Sequence, residues 1–228
     1  MALQNPETID ANDLNRQGVL LLHGLGRTGR SMGMLGSRLS AAGFAIWAPT
    51  YRSRHASMTE IVDQLSPGLE RFSQGFDGSM HVVTHSLGGL VARTLLARNR
   101  PDQLGRVVML APPNGGSEWA DLLFGLRMNR IVLGPVASQL RTARSQDDEI
   151  VLGAVDYPLG VIAGNRALDP IFPKLFLPCP NDGKVSVTAT RIVGMGDHIV
   201  LPVSHTFMVN DRRVADQILA YLKNGRFD

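Results

Sequence analysis

The sequence predicts an α/β fold with a mostly parallel central sheet flanked by helices, and three observations carry that prediction. Short apolar runs alternate with longer amphipathic stretches along the chain, as repeated βαβ units require. The early runs are apolar at nearly every position, which suits strands covered on both faces. A length of 228 residues, 44% of them hydrophobic and 19% charged, suits one large core. Such a chain can bury roughly 70–75% of its unfolded surface.

Each element follows in order. The run Gly-Val-Leu-Leu-Leu-His at 18–23 is the first strand, and a glycine-bearing turn from Gly24 to Gly29 follows it. A helix is expected over 30–42, closed by Gly43 as a C-terminal cap. The next strand covers 44–48 and stops before Pro49. Residues 59–72 have helical period, with Pro67 expected to kink or restart the helix. The third strand, 80–84, runs directly into His85-Ser86-Leu87-Gly88-Gly89 and a helix ending near Arg98. Strands at 106–110, 159–163 and 198–201 complete the sheet, and 209–222 is the last helix. Residues 112–158, between the fourth and fifth strands, exceed the needs of an ordinary crossover and read as an insert. With no repeat, low-complexity tract or linker, residues 1–228 form one domain with that insert inside it.

Composition excludes several functions. A formal charge of +3 is too small to drive nucleic-acid binding. The single cysteine, Cys179 between Pro178 and Pro180, rules out an internal disulfide framework and a CxxC site, and reads as a buried or incidental thiol. No histidine and carboxylate cluster has metal-ligand spacing. Gly24-Leu25-Gly26-Arg27-Thr28-Gly29 matches G-x-G-x-x-G after a strand, but no acid lies about twenty residues on and no phosphate-binding lysine accompanies it. Neither metal nor cofactor is expected. The first residues carry Glu7, Asp10 and Asp13 without a basic or apolar leader pattern, and no apolar run approaches the ~20 residues of a membrane span. A soluble, cytoplasmic protein is the expectation. The 23 basic residues include only three lysines, Lys174, Lys184 and Lys223, and residues 14–59 hold arginines but no acid. A solvated basic surface explains that stretch, and so does a face for an anionic substrate or lipid head group.

Serine is a poor nucleophile at neutral pH, so a serine hydrolase needs a base, a group that orients the base, and donors for the developing oxyanion. Ser86 sits in Thr84-His85-Ser86-Leu87-Gly88 at a strand-to-helix turn. This is the nucleophile-elbow pattern with Thr84 in place of its first glycine. The competing reading is a helix N-cap serine.

Through these residues the chain resembles the α/β-hydrolase superfamily, most closely its compact bacterial lipases and esterases, from His23 to the last helix. The resemblance implies an oxyanion loop at His23-Gly24-Leu25, with the backbone N–H groups of Leu25 and Leu87 as donors. His23, Gly24 and Gly88 would support the site. It implies a catalytic base after the last strand, where His205 lies in Val203-Ser204-His205-Thr206-Phe207. His55, His81 and His198 lack that context, and His85 is expected to point away in the elbow. Three acids lie between the fifth strand and His205. Asp182, in the polar turn Asn181-Asp182-Gly183-Lys184, is preferred; Asp169 reads as a turn former and Asp197 as a strand-entry residue.

The implied activity is cleavage of carboxylic esters, with short-to-medium acyl chains favoured, through an acyl-enzyme on Ser86. An acyltransferase or thioesterase would use the same residues, and a non-catalytic binding module would keep only the fold. The partner is a small-molecule or lipid ester, with transient contact to a lipid surface compatible and nucleic acid not. The insert's first half, 119–133, is apolar with Arg127 and Arg130 interspersed. It suits either a wall over an acyl pocket or plain core packing.

Overall fold

A computed structural model describes residues 17–168, 177–178 and 180–228. Six strands form one sheet in the order β2-β1-β3-β4-β5-β6, every neighbouring pair parallel. They are β1 Gly18–Leu22, β2 Ala45–Trp47, β3 Met80–His85, β4 Leu104–Leu110, β5 Leu159–Gly164 and β6 Asp197–Leu201. Each matches an expected strand to within about two residues. Burial explains their composition: β1, β3 and β5 are buried at every position, whereas the edge strands β2 and β6 are largely half-exposed. Parallel strands require crossovers, and helices on both faces supply them.

One face is covered by α2 (Met58–Ser73) and α3 (Leu87–Arg98), whose Ile61, Leu65, Leu90 and Val91 pack with Leu20, Leu22 and Val82 of the sheet. The other is covered by α1 (Gly33–Ala41) and α7 (Arg212–Asn224), whose Leu35, Leu39, Val214 and Ile218 meet Val19, Leu21 and Val83. Residues alternate along β1 between the two cores, as the two-residue period of a strand demands.

Three boundaries differ from expectation. The helix expected at 30–42 opens with a 3-10 turn, Gly29–Met32, before α1, although Gly43 has the left-handed φ of +98° expected of its cap. Pro67 does not restart α2, which runs through it. Pro67 is exposed, so the carbonyl it leaves without a donor faces water. The last helix starts at Arg212 because Asp211 caps it, its side chain accepting the Arg213 N–H. The insert folds into short pieces: α4 (Glu118–Gly125), α5 (Asn129–Val132), a 3-10 turn Gly134–Leu140 and α6 (Gln146–Leu152). Asp169 and Cys179 lie outside the described residues.

The chain builds β2 on one side of β1 and then returns to build β3 on the other. Strand order reverses there, and loops leaving such a switch point at the carboxyl ends bound a natural crevice. The turns after β1 and β3 therefore emerge side by side.

Candidate active site

Ser86 occupies the turn between β3 and α3 with φ 56° and ψ −124°, a left-handed conformation that non-glycine residues rarely adopt. Its side chain makes no capping hydrogen bond to α3, so the N-cap reading does not describe it. The turn is pinned by the Ser86 N–H, which donates to the Leu110 carbonyl at 2.9 Å, and by Gly89 N–H donating to the Ser86 carbonyl at 2.9 Å. Gly88 is forced by proximity, because a Cβ there would stand 2.4 Å from the Leu22 carbonyl oxygen. Thr84, the departure from the elbow pattern, is fully buried, and Gly89 is required not by Thr84 but by Pro112, whose Cβ would stand 2.8 Å from a Cβ there.

His205 and Asp182 arrive from the far end of the chain. The Ser86 hydroxyl lies 3.0 Å from His205 Nε2, and His205 Nδ1 lies 2.7 Å from Asp182 Oδ2. Asp182 Oδ1 accepts the backbone N–H groups of Lys184 and Val185 at 3.0 and 2.9 Å, which fixes the carboxylate plane. The Asp182 carbonyl also accepts the His205 N–H at 3.0 Å. With Nδ1–H donated to the carboxylate, Nε2 is left to accept a proton from the serine. Asp182 and His205 are buried, whereas Ser86 is partly open. Asp197 opens β6, where it accepts the N–H groups of His198 and Phe227, so it serves the strand entry expected of it.

The loop after β1 passes directly beside the serine: a Cβ on Gly24 would lie 3.2 Å from Ser86 Cβ. Leu25 and Leu87 both line the cleft with Ser86. His23 braces this loop and is fully buried. Its Nδ1–H donates to the Gly24 carbonyl at 2.8 Å, its Nε2 accepts the Tyr51 N–H at 3.3 Å, and its ring stacks on Tyr51 with centroids 3.9 Å apart. The Tyr51 hydroxyl closes the arrangement on the His23 carbonyl. Burial lowers the His23 pKa and keeps the ring neutral. Nothing in the sequence pointed to Tyr51, 28 residues away.

His85 contributes differently from expectation: it lines the cleft, and its Nε2–H donates to the His205 carbonyl at 2.9 Å. Desolvation holds its pKa well below the usual value, assisted by the neighbouring His205 and by the charges of Lys184 and Arg27. It is a neutral brace for the His205 backbone.

The cleft over Ser86 has a volume of about 280 Å³. Trp119, Ala120, Val132, Leu133 and Leu140, from the stretch 112–158, line the cleft as its apolar wall. Arg27, Arg54 and Lys184 line it too, and among the described residues no acidic side chain does. Among the described residues no group of three or more His, Cys, Asp or Glu could hold a metal, and no helix is long and apolar enough to cross a membrane.

The family model described as the alpha/beta hydrolase family matches residues 19–220. Among solved structures, the mature form of a Bacillus licheniformis lipase superposes with a TM-score of 0.73 at 16% identity, over 92% of this chain and 92% of that one. A carboxylesterase structure from the thaumarchaeon Nitrososphaera gargenis gives 0.61 at 16% identity, over 93% and 92%. A phospholipase of Legionella pneumophila gives 0.59 at 19% identity, over 78% of this chain but 46% of its own. At such identities the likeness concerns the fold. Curated protein sequences gave no match.

Proposed function

Since the chain belongs to the alpha/beta hydrolase family, we propose that it hydrolyses carboxylic esters through an acyl-enzyme on Ser86. The observation that carries this reading is the hydrogen-bonded chain Asp182, His205, Ser86, at 2.7 and 3.0 Å, ending on a serine in a strained elbow. The lipase and carboxylesterase neighbours support the same class.

Ser86 Oγ attacks the acyl carbon while His205 Nε2 takes its proton, and Asp182 stabilises the imidazolium that forms. The N–H groups of Leu25 and Leu87 receive the oxyanion; one such donor is typically worth about 3–4 kcal/mol of barrier. As the tetrahedral intermediate collapses, His205 gives its proton to the departing alcohol oxygen. Water then attacks the acyl-enzyme with His205 again as base, and the acid product leaves with Ser86 restored. A cleft of about 280 Å³ favours short-to-medium acyl chains.

A fluorophosphonate probe is expected to label the wild type and to leave Ser86→Ala unlabelled. The same variant should lose on the order of 10⁴-fold or more in kcat on a chromogenic butyrate ester. Equal labelling of the variant would overturn the reading.

A further inference from the structure

We propose that Arg27, Arg54 and Lys184 form an anion subsite at the mouth of the cleft, which selects esters carrying a carboxylate or phosphate group within a few bonds of the scissile carbonyl. The inference rests on the ester-hydrolase reading above and specifies its substrate class.

The three cations come from three separate segments: the turn after β1, the loop after β2, and the turn that carries Asp182. All three line the space over Ser86, and among the described residues no aspartate or glutamate lines it with them. Among the described residues elsewhere, some arginines are paired with acids, as in Arg93 with Glu149, Arg100 with Asp156, Arg141 with Asp121 and Arg213 with Asp211, and others, such as Arg38 and Arg106, donate only to backbone carbonyls. Among the described residues, none of the three cleft cations has such an ion pair. The carboxylate that shares a turn with Lys184 is Asp182, already engaged by His205 and two backbone N–H groups.

Two of the cations are held in place before any ligand arrives. Arg54 lies against Gly26, where a Cβ would stand 3.0 Å from its Cδ, and one terminal nitrogen donates to the Ile131 carbonyl of the insert at 2.9 Å. The Lys184 ammonium sits over the Trp119 ring, 5.7 Å from its centroid. Desolvation and the Arg27 charge lower the Lys184 pKa and the Asp182 carboxylate partly offsets them, so the Arg27 and Lys184 charges lie near enough to repel. Arg27, Arg54 and Lys184 are all exposed, at the mouth of the cleft, and an anion beside them would offset that repulsion and gain charge-assisted hydrogen bonds. A formal charge of only +3 for the whole chain makes this a local concentration, not a generally basic surface. Arg27 and Arg54 both come from the acid-free stretch at 14–59.

The test compares matched esters. One pair places the charge on the acyl side, mono-4-nitrophenyl succinate against 4-nitrophenyl butyrate; the other places it on the alcohol side, butyryl glycerol 3-phosphate against monobutyrin. The wild type is expected to favour the charged member of at least one pair about tenfold in kcat/KM, chiefly through KM, as one charge-assisted contact allows. Arg27→Gln and Lys184→Met should each lower that ratio about tenfold. Raising the ionic strength from about 0.02 to about 0.5 M should also narrow it. Arg212→Gln removes an exposed positive charge outside the cleft and should leave the ratio unchanged. The pair that responds identifies the side on which the anion sits.

Ratios at or below one in both pairs, or ratios indifferent to both cleft variants, would overturn the subsite. If the neutral esters are still cleaved and Ser86 is still labelled, the hydrolase reading stands without it. If no ester is cleaved and the probe fails to label, both fall together. Probe labelling of each variant shows that its serine site remains folded.

Discussion

Ser86 is held in a backbone conformation that its own chemistry disfavours, and its neighbours show what maintains it. Gly88 lets α3 come within 2.4 Å, measured to a notional Cβ, of the Leu22 carbonyl, and Leu110 takes the Ser86 N–H. Such strain costs on the order of 1–3 kcal/mol and persists only where the surroundings over-determine it. Thr84 adds a second local cost, because among the described residues its buried hydroxyl has no hydrogen-bond partner. A stranded buried hydroxyl costs about 1–3 kcal/mol, and valine has the same shape without that penalty. Thr84→Val is therefore expected to stabilise the fold by about 1 kcal/mol, read as a raised midpoint in urea unfolding with the slope unchanged. A lowered midpoint would show that the hydroxyl has a partner after all. Residue identity explains much of the site: Ser86, His205 and Asp182 were each marked by type and neighbours. Tyr51 was not, because its role depends on stacking against a histidine 28 positions away.

At the scale of elements, α2 illustrates how packing overrides a local signal. Pro67 reads as a break, yet the helix continues because Ile61, Val62, Leu65, Leu69 and Phe72 hold a buried face on the sheet while Pro67 faces water. A capping box at Ser57 and Glu60 secures its start. Interior proline costs about 3 kcal/mol relative to alanine, of which up to about 1 is returned through the stiffer unfolded chain. Pro67→Ala should thus stabilise the protein by about 2 kcal/mol in thermal or urea melts; a neutral or destabilising outcome would mean that the proline ring packs. The insert shows the opposite limit. Its apolar residues at 119–133 were visible, but amphipathic period could not separate core packing from a wall over the serine. Both occur: Trp119, Ala120, Val132 and Leu133 line the cleft, and Ala120, Leu123 and Leu133 are buried in the core, while Leu126, Met128 and Ile131 are exposed.

Across the whole molecule, buried neutral histidines tie stability to pH. His81 accepts the Arg106 N–H through Nδ1 at 2.9 Å, and burial together with the Arg106 charge pushes its pKa down to about 4. Burial also lowers His23, His85 and His198. In the unfolded chain each ring takes a proton near pH 6.5, so between pH 6.5 and about 4 the unfolded state binds more protons than the folded one. Stability should hold above about pH 7 and decline as pH falls through that window, by on the order of 3 kcal/mol for His81 alone. Melting temperatures measured from pH 8 to pH 4.5 check this; a flat profile would contradict it. The sequence by itself determined the strands, since apolar runs of strand length need burial on both faces, and it marked the serine, histidine and acid through their local turns. The tertiary structure alone decided the strand order that sets the two loops side by side. It also decided the brace of His85 on His205 and the gathering of Arg27, Arg54 and Lys184 around one cleft. The reason is physical: period and turn chemistry act over a few residues, whereas these contacts join segments from 27 to 205 that meet only when the sheet closes its crossovers.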